Sequence, residues 1–309
     1  MPIPSILRDW RLKAFSQFLL SVCPFGERIN YALQYANGKH TPARITQKVK
    51  SVCKHLVSVD SLFTLEDKII VEIGTGWEPT RTLMFYLMGA KRVYTYDHVR
   101  HLRTNMLLTI IEAFGNELQY LSETIGIDRK TLESKLTRFN GLTDMAQILE
   151  VANITYVAPG DAARTGLNDD SADLVFSSVV FEHVPEKVIH VITEESKRIL
   201  KPSGVCYHTI GCRDHYAYFD KRISFVNYYR YPEWLWSVFC KNKIHYQNRI
   251  PADGYIDLFT SHGACILWQA RELKPENVEI VKSMKVNRRF LAFAPEQLGI
   301  TFLKVMFGF

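Results

Sequence analysis

The sequence has little that would place the chain in a membrane or in an oxidising compartment. It contains no apolar run of the about 18 residues that a transmembrane helix requires. The stretch from Ala14 to Phe25 follows basic residues, but it contains Ser16 and Gln17 and lacks a small-residue cleavage site, which is typical of an amphipathic helix and not of a signal peptide. We therefore expect a cytoplasmic protein.

The six cysteines also lack an informative pattern. None stands in C-x-x-C spacing, and two of them fall in predicted core strands, so reduced thiols are expected. The cysteines therefore predict neither a disulfide framework nor a zinc site, and no metal is expected.

Positive charge is concentrated near the start of the chain. The whole chain carries +6 at pH 7, whereas residues 1–59 hold nine Lys or Arg and two acids. The basic residues are Arg8, Arg11, Lys13, Arg28, Lys39, Arg44, Lys48, Lys50 and Lys54. Two interpretations stay open: a solvated helical face, or attraction to an anionic partner such as a lipid headgroup, a diphosphate-linked sugar or nucleic acid. The second would allow peripheral membrane contact through this region.

The most informative stretch runs from Lys68 to Thr80 and reads K-I-I-V-E-I-G-T-G-W-E-P-T. Its β-branched apolar run predicts a buried parallel strand, and Gly74 and Gly76 allow a tight turn and close approach to a ligand. A G-x-G-x-x-G dinucleotide loop would need a third glycine where Pro79 stands. The preceding acid, Glu72, favours a cationic ligand.

Further strands follow, each with polar residues at its end. Arg92 to Asp97 predicts a strand ending in a carboxylate, placed to accept hydrogen bonds from ribose hydroxyls. Ile154 to Val157 precedes Gly160-Asp161, and Ala172 to Val180 leads into F-E-H-V. The motif R-I-L-K-P-S-G then introduces a fifth strand over Val205 to Ile210.

These ordered blocks resemble those of class I S-adenosylmethionine-dependent methyltransferases. The resemblance covers roughly residues 68–211 and implies S-adenosylmethionine as cofactor. It implies that Glu72, Gly74, Thr75 and Gly76 surround the methionine moiety, that Asp97 holds the ribose and that Asp161 meets the adenine amine. The position of the family's usual third glycine is occupied by Glu78.

A narrower resemblance extends over almost the whole chain. The pieces G-T-G-W-E-P-T, H-T-I-G-C-R-D-H-Y, Y-Q-N-R-I and E-Q-L-G-I-T-F-L-K-V look like those of a bacterial group of such methyltransferases associated with polysaccharide and surface-glycan biosynthesis. This resemblance favours a sugar or glycan precursor as acceptor.

The pattern predicts an α/β, Rossmann-like, doubly wound and mostly parallel sheet of seven strands. Residues 1–60 are expected to form a helical N-terminal region, and residues 61–309 the S-adenosylmethionine-binding domain. Two insertions interrupt that domain, at 98–151 and at 212–250; the first includes a helix over Arg129 to Leu136 capped by Asp128. The last predicted elements are a helix over Ala252 to His262 and strands over Cys265 to Leu273 and Gly299 to Phe307.

The second insertion leaves the sheet beside the methyl donor and is rich in aromatic and polar residues, as an acceptor site for a polar ring would be. A hydroxyl acceptor must lose a proton, which a histidine near neutrality can accept. We expect His215 to be this base, with Asp214 orienting it, and His183 as the second choice. The predicted substrate-binding residues are His208, Tyr228, Arg230, Asn248 and Arg249.

The sequence thus predicts a methyltransferase acting on a small polar acceptor, anionic or sugar-like, at a hydroxyl. The alternatives are N- or S-methylation of another metabolite, nucleic-acid methylation, and a non-catalytic binding module. Against a nucleic-acid enzyme, no N-P-P-Y or D-P-P-Y tetrad follows strand four and no Pro-Cys dipeptide supplies a cytosine-attacking thiolate. No sequence-specific nucleic-acid partner is therefore expected.

Overall fold

A computed structural model describes residues 9–26, 29, 41–240, 242 and 244–309. Within these ranges seven strands form one sheet. They are β1 (Ile69–Ile73), β2 (Arg92–Tyr96), β3 (Ile154–Val157), β4 (Ala172–Ser178), β5 (Leu200–Gly211), β6 (Cys265–Leu273) and β7 (Ile300–Gly308). The predicted α/β doubly wound fold is confirmed.

The order of the strands across the sheet is β3-β2-β1-β4-β5-β7-β6. Strands β1 to β5 pair in parallel, and β7 runs antiparallel to both β5 and β6. The chain reverses its direction of winding between β1 and β4, which creates the crevice at their carboxyl ends where doubly wound sheets bind ligands. The glycine turn after β1 and the F-E-H-V segment after β4 both lie at this edge.

The α-helices among the described residues cover both faces of the sheet. They are α1 (Trp10–Val22), α2 (Pro42–Asp60), α3 (Thr80–Leu87), α4 (Thr104–Asn116), α5 (Leu118–Ile125), α6 (Arg129–Thr137), α7 (Met145–Val151), α8 (Glu186–Ile199), α9 (Glu233–Cys240), α10 (Ala252–Ser261), α11 (Pro275–Ser283) and α12 (Pro295–Leu298). Asp128 caps α6 as predicted, because its carboxylate accepts a hydrogen bond from the Thr131 N–H at 3.2 Å. No helix in the described ranges is long and apolar enough to cross a membrane.

The two faces of the sheet bury separate apolar clusters. Val49 and Leu56 of α2 pack with Phe85 and Phe176 on one face, while Val175 belongs to the cluster formed with α8 and α10 on the other. Since both faces are covered, the parallel strands read as continuous apolar runs. Period-two alternation is consequently absent from β1, whose burial is nearly uniform.

Part of the basic N-terminal charge is paired inside this fold. The Lys48 ammonium lies 2.7 Å from the Glu78 carboxylate, and that of Lys50 lies 3.0 Å from Glu117. Arg8, Arg28 and Lys39 lie outside the described residues. The described part of residues 1–60 contains the helices α1 and α2.

Candidate active site

The glycine turn after β1 is tight on one side and open on the other. Gly74 has φ +84°, and a Cβ added to it would lie 2.5 Å from Cγ2 of Val180. Its N–H donates to the Tyr96 carbonyl at 2.8 Å, which holds the turn against the end of β2. Gly76 also has positive φ, +68°, but its Cβ position has no atom within 4 Å. The backbone at Gly76 can therefore be approached closely by a ligand.

Glu72 supports this turn through hydrogen bonds from buried threonine hydroxyls. The side chain is only 4% exposed, and its Oε2 accepts hydrogen bonds from the hydroxyls of Thr82 at 2.5 Å and Thr95 at 2.9 Å. The Thr95 hydroxyl also lies 2.6 Å from that of Thr75. Burial raises the pKa of Glu72, and the threonine hydroxyls partly offset that effect. The acid before the glycines thus fixes the turn through buried hydroxyl groups.

Asp97 stands directly after β2 and anchors the same turn. Its Oδ2 accepts from the Gly76 N–H at 2.8 Å, and its Oδ1 accepts from the Val99 N–H at 3.2 Å and lies 3.3 Å from His98 Nδ1. Burial acts to raise the pKa of Asp97, but the hydrogen bonds from His98, Gly76 and Val99 outweigh it, so the pKa is lowered overall. A charged carboxylate has about four lone-pair sites, which leaves capacity for ligand hydroxyls.

The third predicted donor-site acid lies at the neighbouring strand end. Gly160 donates its N–H to the Asp97 carbonyl at 2.8 Å, which brings the turn after β3 beside Asp97. Asp161 is exposed, and its Oδ1 accepts from the Ala163 N–H at 2.9 Å. Glu78, at the position of the missing third glycine, forms an ion pair with Lys48 of α2. The structure therefore brings together the turn, Asp97 and Asp161 along one sheet edge.

A second group of polar side chains lies beside this turn, at the ends of β4 and β5. One ligand atom from each of Glu182, His183 and His215 lies within 4.8 Å of the others. The rings of His183 and His215 have centroids 5.0 Å apart. Val179, at the end of β4, has φ +58°, which is strained for a β-branched residue and redirects the chain into the Phe181–His183 turn. We call Glu182, His183 and His215 the edge cluster.

The segment 245–249 holds the edge cluster in place. The Tyr246 carbonyl accepts from His183 Nδ1 at 2.7 Å. Gln247 accepts from the His215 N–H at 3.2 Å and donates to the Arg213 carbonyl at 2.6 Å. The Asn248 amide donates to the Phe181 carbonyl at 2.7 Å and the Val184 carbonyl at 2.9 Å. Consecutive residues of one segment thus tie the turn after β4 to the turn after β5.

Burial makes the acidic and basic members of this region tend towards their neutral forms. It raises the pKa of Glu182 to about 8, against lowering contributions from backbone N–H groups and Arg213. Burial and the neighbouring histidines lower the pKa of His215 to about 2. Near neutral pH the imidazoles are therefore uncharged and keep a lone pair, whereas the Glu182 carboxyl tends towards its protonated form.

Three of the predicted substrate-binding residues, His208, Tyr228 and Asn248, lie in packed interior positions. His208, within β5, is 1% exposed, and its Nδ1 lies 2.8 Å from the Ser177 hydroxyl. Tyr228 is 1% exposed, and its hydroxyl group donates a hydrogen bond to the hydroxyl oxygen of Tyr229. The Asn248 side-chain amide donates its hydrogen bonds to backbone carbonyls, as described above. The polar groups of these residues bond to other protein groups in the interior, so the prediction that they bind substrate is corrected.

Arg249 and Asp214 need the same correction, whereas Arg230 remains available. The Arg249 side chain is fully buried and donates to the Tyr228 and Tyr231 carbonyls and to Glu233. Asp214 is fully buried and accepts from the Tyr216 N–H and from the Asn227 amide, so its carboxylate caps the His215–Tyr218 turn and does not orient the His215 ring. Arg230 is exposed.

Sequence reasoning named His183 and His215 but not the acid that accompanies them. Glu182 was visible only as part of the F-E-H-V block, and its burial to 1% exposure is a tertiary property. Gln247 was missed because its role is to bridge two loops that are distant in sequence. The adjacency of an acid and a histidine after a buried strand was the one signal available.

Comparison with known families agrees with this geometry. Residues 115–208, which include β3 and β4 and most of β5, match the family model of a methyltransferase domain. The match covers 94 of the 309 residues and assigns this stretch to a methyltransferase domain. With the sheet order and the turn described above, this makes the chain an S-adenosylmethionine-dependent methyltransferase. The open Cβ position at Gly76 and the charged Asp97 beside it fit the backbone approach and ribose contact that this cofactor requires.

Comparison with individual proteins is less specific. No curated protein matches the chain. Among solved structures, an S-adenosylmethionine-dependent methyltransferase from Mesorhizobium loti is 17% identical, with 79% of this chain and 91% of that one covered and a TM-score of 0.39. Geranyl diphosphate C-methyltransferase from Streptomyces coelicolor is 11% identical (78% and 72% covered, TM-score 0.42). Magnesium protoporphyrin IX methyltransferase from Synechocystis is 12% identical (85% and 81% covered, TM-score 0.41). The acceptors in these names are those of the proteins named.

Proposed function

We propose that this methyltransferase acts on a hydroxyl group of a small polar acceptor, a sugar or glycan precursor. When bound, S-adenosylmethionine supplies the electrophilic methyl group. Asp97 and the turn at Gly74 and Gly76 are proposed to hold the cofactor, with Asp161 at its adenine end. The protein's remaining task is to place the hydroxyl in line with the methyl group and to assist loss of its proton.

The observation that carries this proposal is the hydrogen bond of His183. Because Nδ1 of His183 bonds to the Tyr246 carbonyl, Nδ1 carries the hydrogen and Nε2 is left with its lone pair. Val180, two residues after the end of β4, contacts the glycine turn. His183 lies three residues further along the chain from this contact. That lone pair serves proton removal in either of two ways: it accepts the proton itself, or it binds a cation that makes the hydroxyl more acidic.

The side chains around the edge cluster favour a polar and anionic acceptor. Tyr218 is 49% exposed and offers an aromatic face on which a sugar ring can stack. The Arg213 guanidinium lies 5.2 Å from the centre of that ring, where its charge suits a phosphate on a sugar precursor. This arrangement also agrees with the proposed polysaccharide pathway, which rests on sequence resemblance.

A product screen tests the proposal. The protein is incubated with S-adenosylmethionine and a library of nucleotide sugars, glycans and amine- or thiol-bearing metabolites, and mass spectrometry detects the addition of one CH2 group. We expect product only from hydroxyl acceptors among the sugars. Replacing His183 with Ala should lower turnover by about 10² to 10⁴ while S-adenosylhomocysteine affinity is retained.

His262→Ala is the matched control, because His262 is a half-buried histidine whose ring bonds to His190 and Glu194, away from the edge cluster. Its turnover should equal that of the parent. Methylation of amines or thiols with no sugar product, or full turnover in the His183 variant, would contradict the proposal.

A further inference from the structure

We infer that the edge cluster of Glu182, His183 and His215 binds one divalent transition-metal cation, which coordinates the acceptor hydroxyl during methyl transfer. Two imidazoles and one carboxylate are the ligand set of several catalytic zinc sites and of non-haem iron sites, and they leave coordination positions open for substrate. The role of the cation rests on the proposed function, whereas its binding does not.

The spacing of the rings suits a shared ion. A zinc-sized cation binds imidazole nitrogen at about 2.0–2.1 Å, which places the centres of two coordinating rings about 5 Å apart. The centroids of His183 and His215 are 5.0 Å apart. The ligand atoms, within 4.8 Å of one another, need to approach by about 1 to 1.5 Å to meet one ion of this size.

The carboxylate has an oxygen left over for such an ion. Glu182 is 1% exposed; Oε1 accepts from the Gly211 N–H at 3.1 Å, while Oε2 has no hydrogen-bond partner among the residues that the structure describes. A buried acceptor without a partner costs about 1–3 kcal/mol, more if it is charged. A cation would satisfy this oxygen and would also compensate the carboxylate charge.

Gly211 makes the approach of two ligands possible. A Cβ at this position would lie 2.7 Å from Glu182 Oε1 and 3.7 Å from His215 Nε2. Both atoms therefore lie close to Gly211 at the end of β5, where a side chain would collide with Glu182 Oε1. His215 Nε2 and the Glu182 carboxylate consequently belong to the same small space.

The hydrogen bond of His183 is the kind that metal-binding histidines make. Such histidines usually donate the hydrogen of the other ring nitrogen to a carboxylate or a backbone carbonyl, which sets the ring's orientation. Nδ1 of His183 does so with the Tyr246 carbonyl, so Nε2 is the nitrogen left for a metal. His183 is exposed, which leaves a path for the ion.

A third histidine stands next to the three ligands. The ring centre of His245 lies 6.5 Å from that of His183 and 6.3 Å from that of His215, and its buried Nε2 has no hydrogen-bond partner in the described part of the chain. At these distances it suits a hydrogen bond to a water or substrate oxygen on the cation. The proposed cation therefore has three protein ligands, and His245 is proposed to form a hydrogen bond to a group bound to the cation.

In the proposed step the cation coordinates the acceptor oxygen and increases the acidity of its hydroxyl group. The O–H bond breaks and the proton passes to solvent water. The oxygen then forms a bond to the methyl carbon as the bond from that carbon to sulfur breaks, which releases S-adenosylhomocysteine. No electron is gained or lost overall.

Metal titration tests the site directly. The full chain, prepared without a histidine tag and freed of metal by a chelator, is titrated with ZnCl2 and with MgCl2 by calorimetry. We expect one Zn²⁺ per chain and much weaker Mg²⁺ binding, because imidazole ligands favour zinc over magnesium. Glu182→Gln and His215→Ala should each weaken Zn²⁺ binding by at least about 10-fold, and His262→Ala should leave it unchanged.

Two further measurements separate the site from its role. Co²⁺ added to the parent protein should give visible absorption that Zn²⁺ removes, a readout that needs no variant to fold. Methyl transfer to a hydroxyl acceptor should stop in chelator and return with added cation, while S-adenosylhomocysteine binding persists.

The outcomes distinguish the two proposals. A chain that binds no Zn²⁺ and retains full methyl transfer in chelator would overturn the cation site and leave the proposed function intact. Equal Zn²⁺ binding by the parent, Glu182→Gln and His215→Ala would also overturn it. One Zn²⁺ bound through these residues, with no hydroxyl acceptor methylated, would support the site and contradict the proposed function.

Discussion

Replacing Asp97 with Asn tests the donor site most sharply, because it removes a charge and changes little volume. The carboxylate accepts the Gly76 N–H at 2.8 Å and the Val99 N–H at 3.2 Å. An asparagine has only one acceptor oxygen, so one of these N–H groups would face an NH2 group in its place. The substitution therefore affects both the turn and any ligand hydroxyl bonded to Asp97.

The expected magnitudes follow from these contacts. Hydrogen bonds to a charged group contribute about 1.5–3 kcal/mol each, so we expect Asp97→Asn to lower the free energy of unfolding of the ligand-free protein by about that amount. Loss of one charge-assisted contact to the ribose should weaken S-adenosylhomocysteine binding by about 10- to 100-fold.

Calorimetry with S-adenosylhomocysteine measures the affinity, and urea unfolding without ligand measures the stability. Asp257→Asn is the control, since Asp257 is an exposed acid on α10 and its replacement removes the same charge. It should change neither quantity appreciably. An Asp97→Asn protein that stays folded and binds as tightly as the parent would refute the reasoning about this carboxylate.

Two other predictions concern the framework of the site. Glu195 accepts hydrogen bonds from Arg198 at 2.8 and 2.9 Å and from Thr165, and chiefly the bonds from Arg198 lower its pKa from 4.5 to about 2. Its stabilisation is therefore complete above the ordinary pKa and is lost as pH falls from about 4.5 towards 2. Urea unfolding across this range should show that the free energy of unfolding falls by about 1–2 kcal/mol more for the parent than for Glu195→Gln, after allowance for solvent screening of the partly exposed Arg198. Equal decreases for the two proteins would contradict the assignment. Asn248→Ala leaves two backbone carbonyls and the Tyr255 hydroxyl without their partner. It should lower the free energy of unfolding in urea by about 2–4 kcal/mol. A change below about 0.5 kcal/mol would show that Asn248 does not hold the turns after β4 and β5 together.

Much of the fold followed from local patterns. Buried parallel strands require near-continuous apolar runs, and β3 and β6 were predicted with the bounds that the structure has. Other bounds differ: β5 begins at Leu200, five residues before the predicted start at Val205, although Pro202 and Gly204 lie in this stretch. Proline and glycine report local turn preference, whereas the pairing of Leu200 with Ala172 of β4 determines where the strand begins.

The donor site was accessible to sequence reasoning because its residues follow strand ends in a fixed order. In a doubly wound sheet the carboxyl ends of neighbouring strands meet at one edge, so Gly74, Gly76 and Asp97 could be placed together from their positions in the chain alone. The acceptor side had no such rule. Polar residues in an insertion can face a ligand or satisfy buried backbone groups, and composition does not distinguish these uses.

The sequence by itself determined the succession of strands along the chain, the glycine turn after β1 and the acids that follow β2 and β3. Only the tertiary structure decided that Asn248 and Arg249 bond to backbone carbonyls and that Glu182 joins His183 and His215. The physical reason is that a buried polar group must find its partner wherever the folded chain supplies one. For these residues the partners lie tens of residues away in sequence, so the distinction between a packing role and a chemical role exists only in three dimensions.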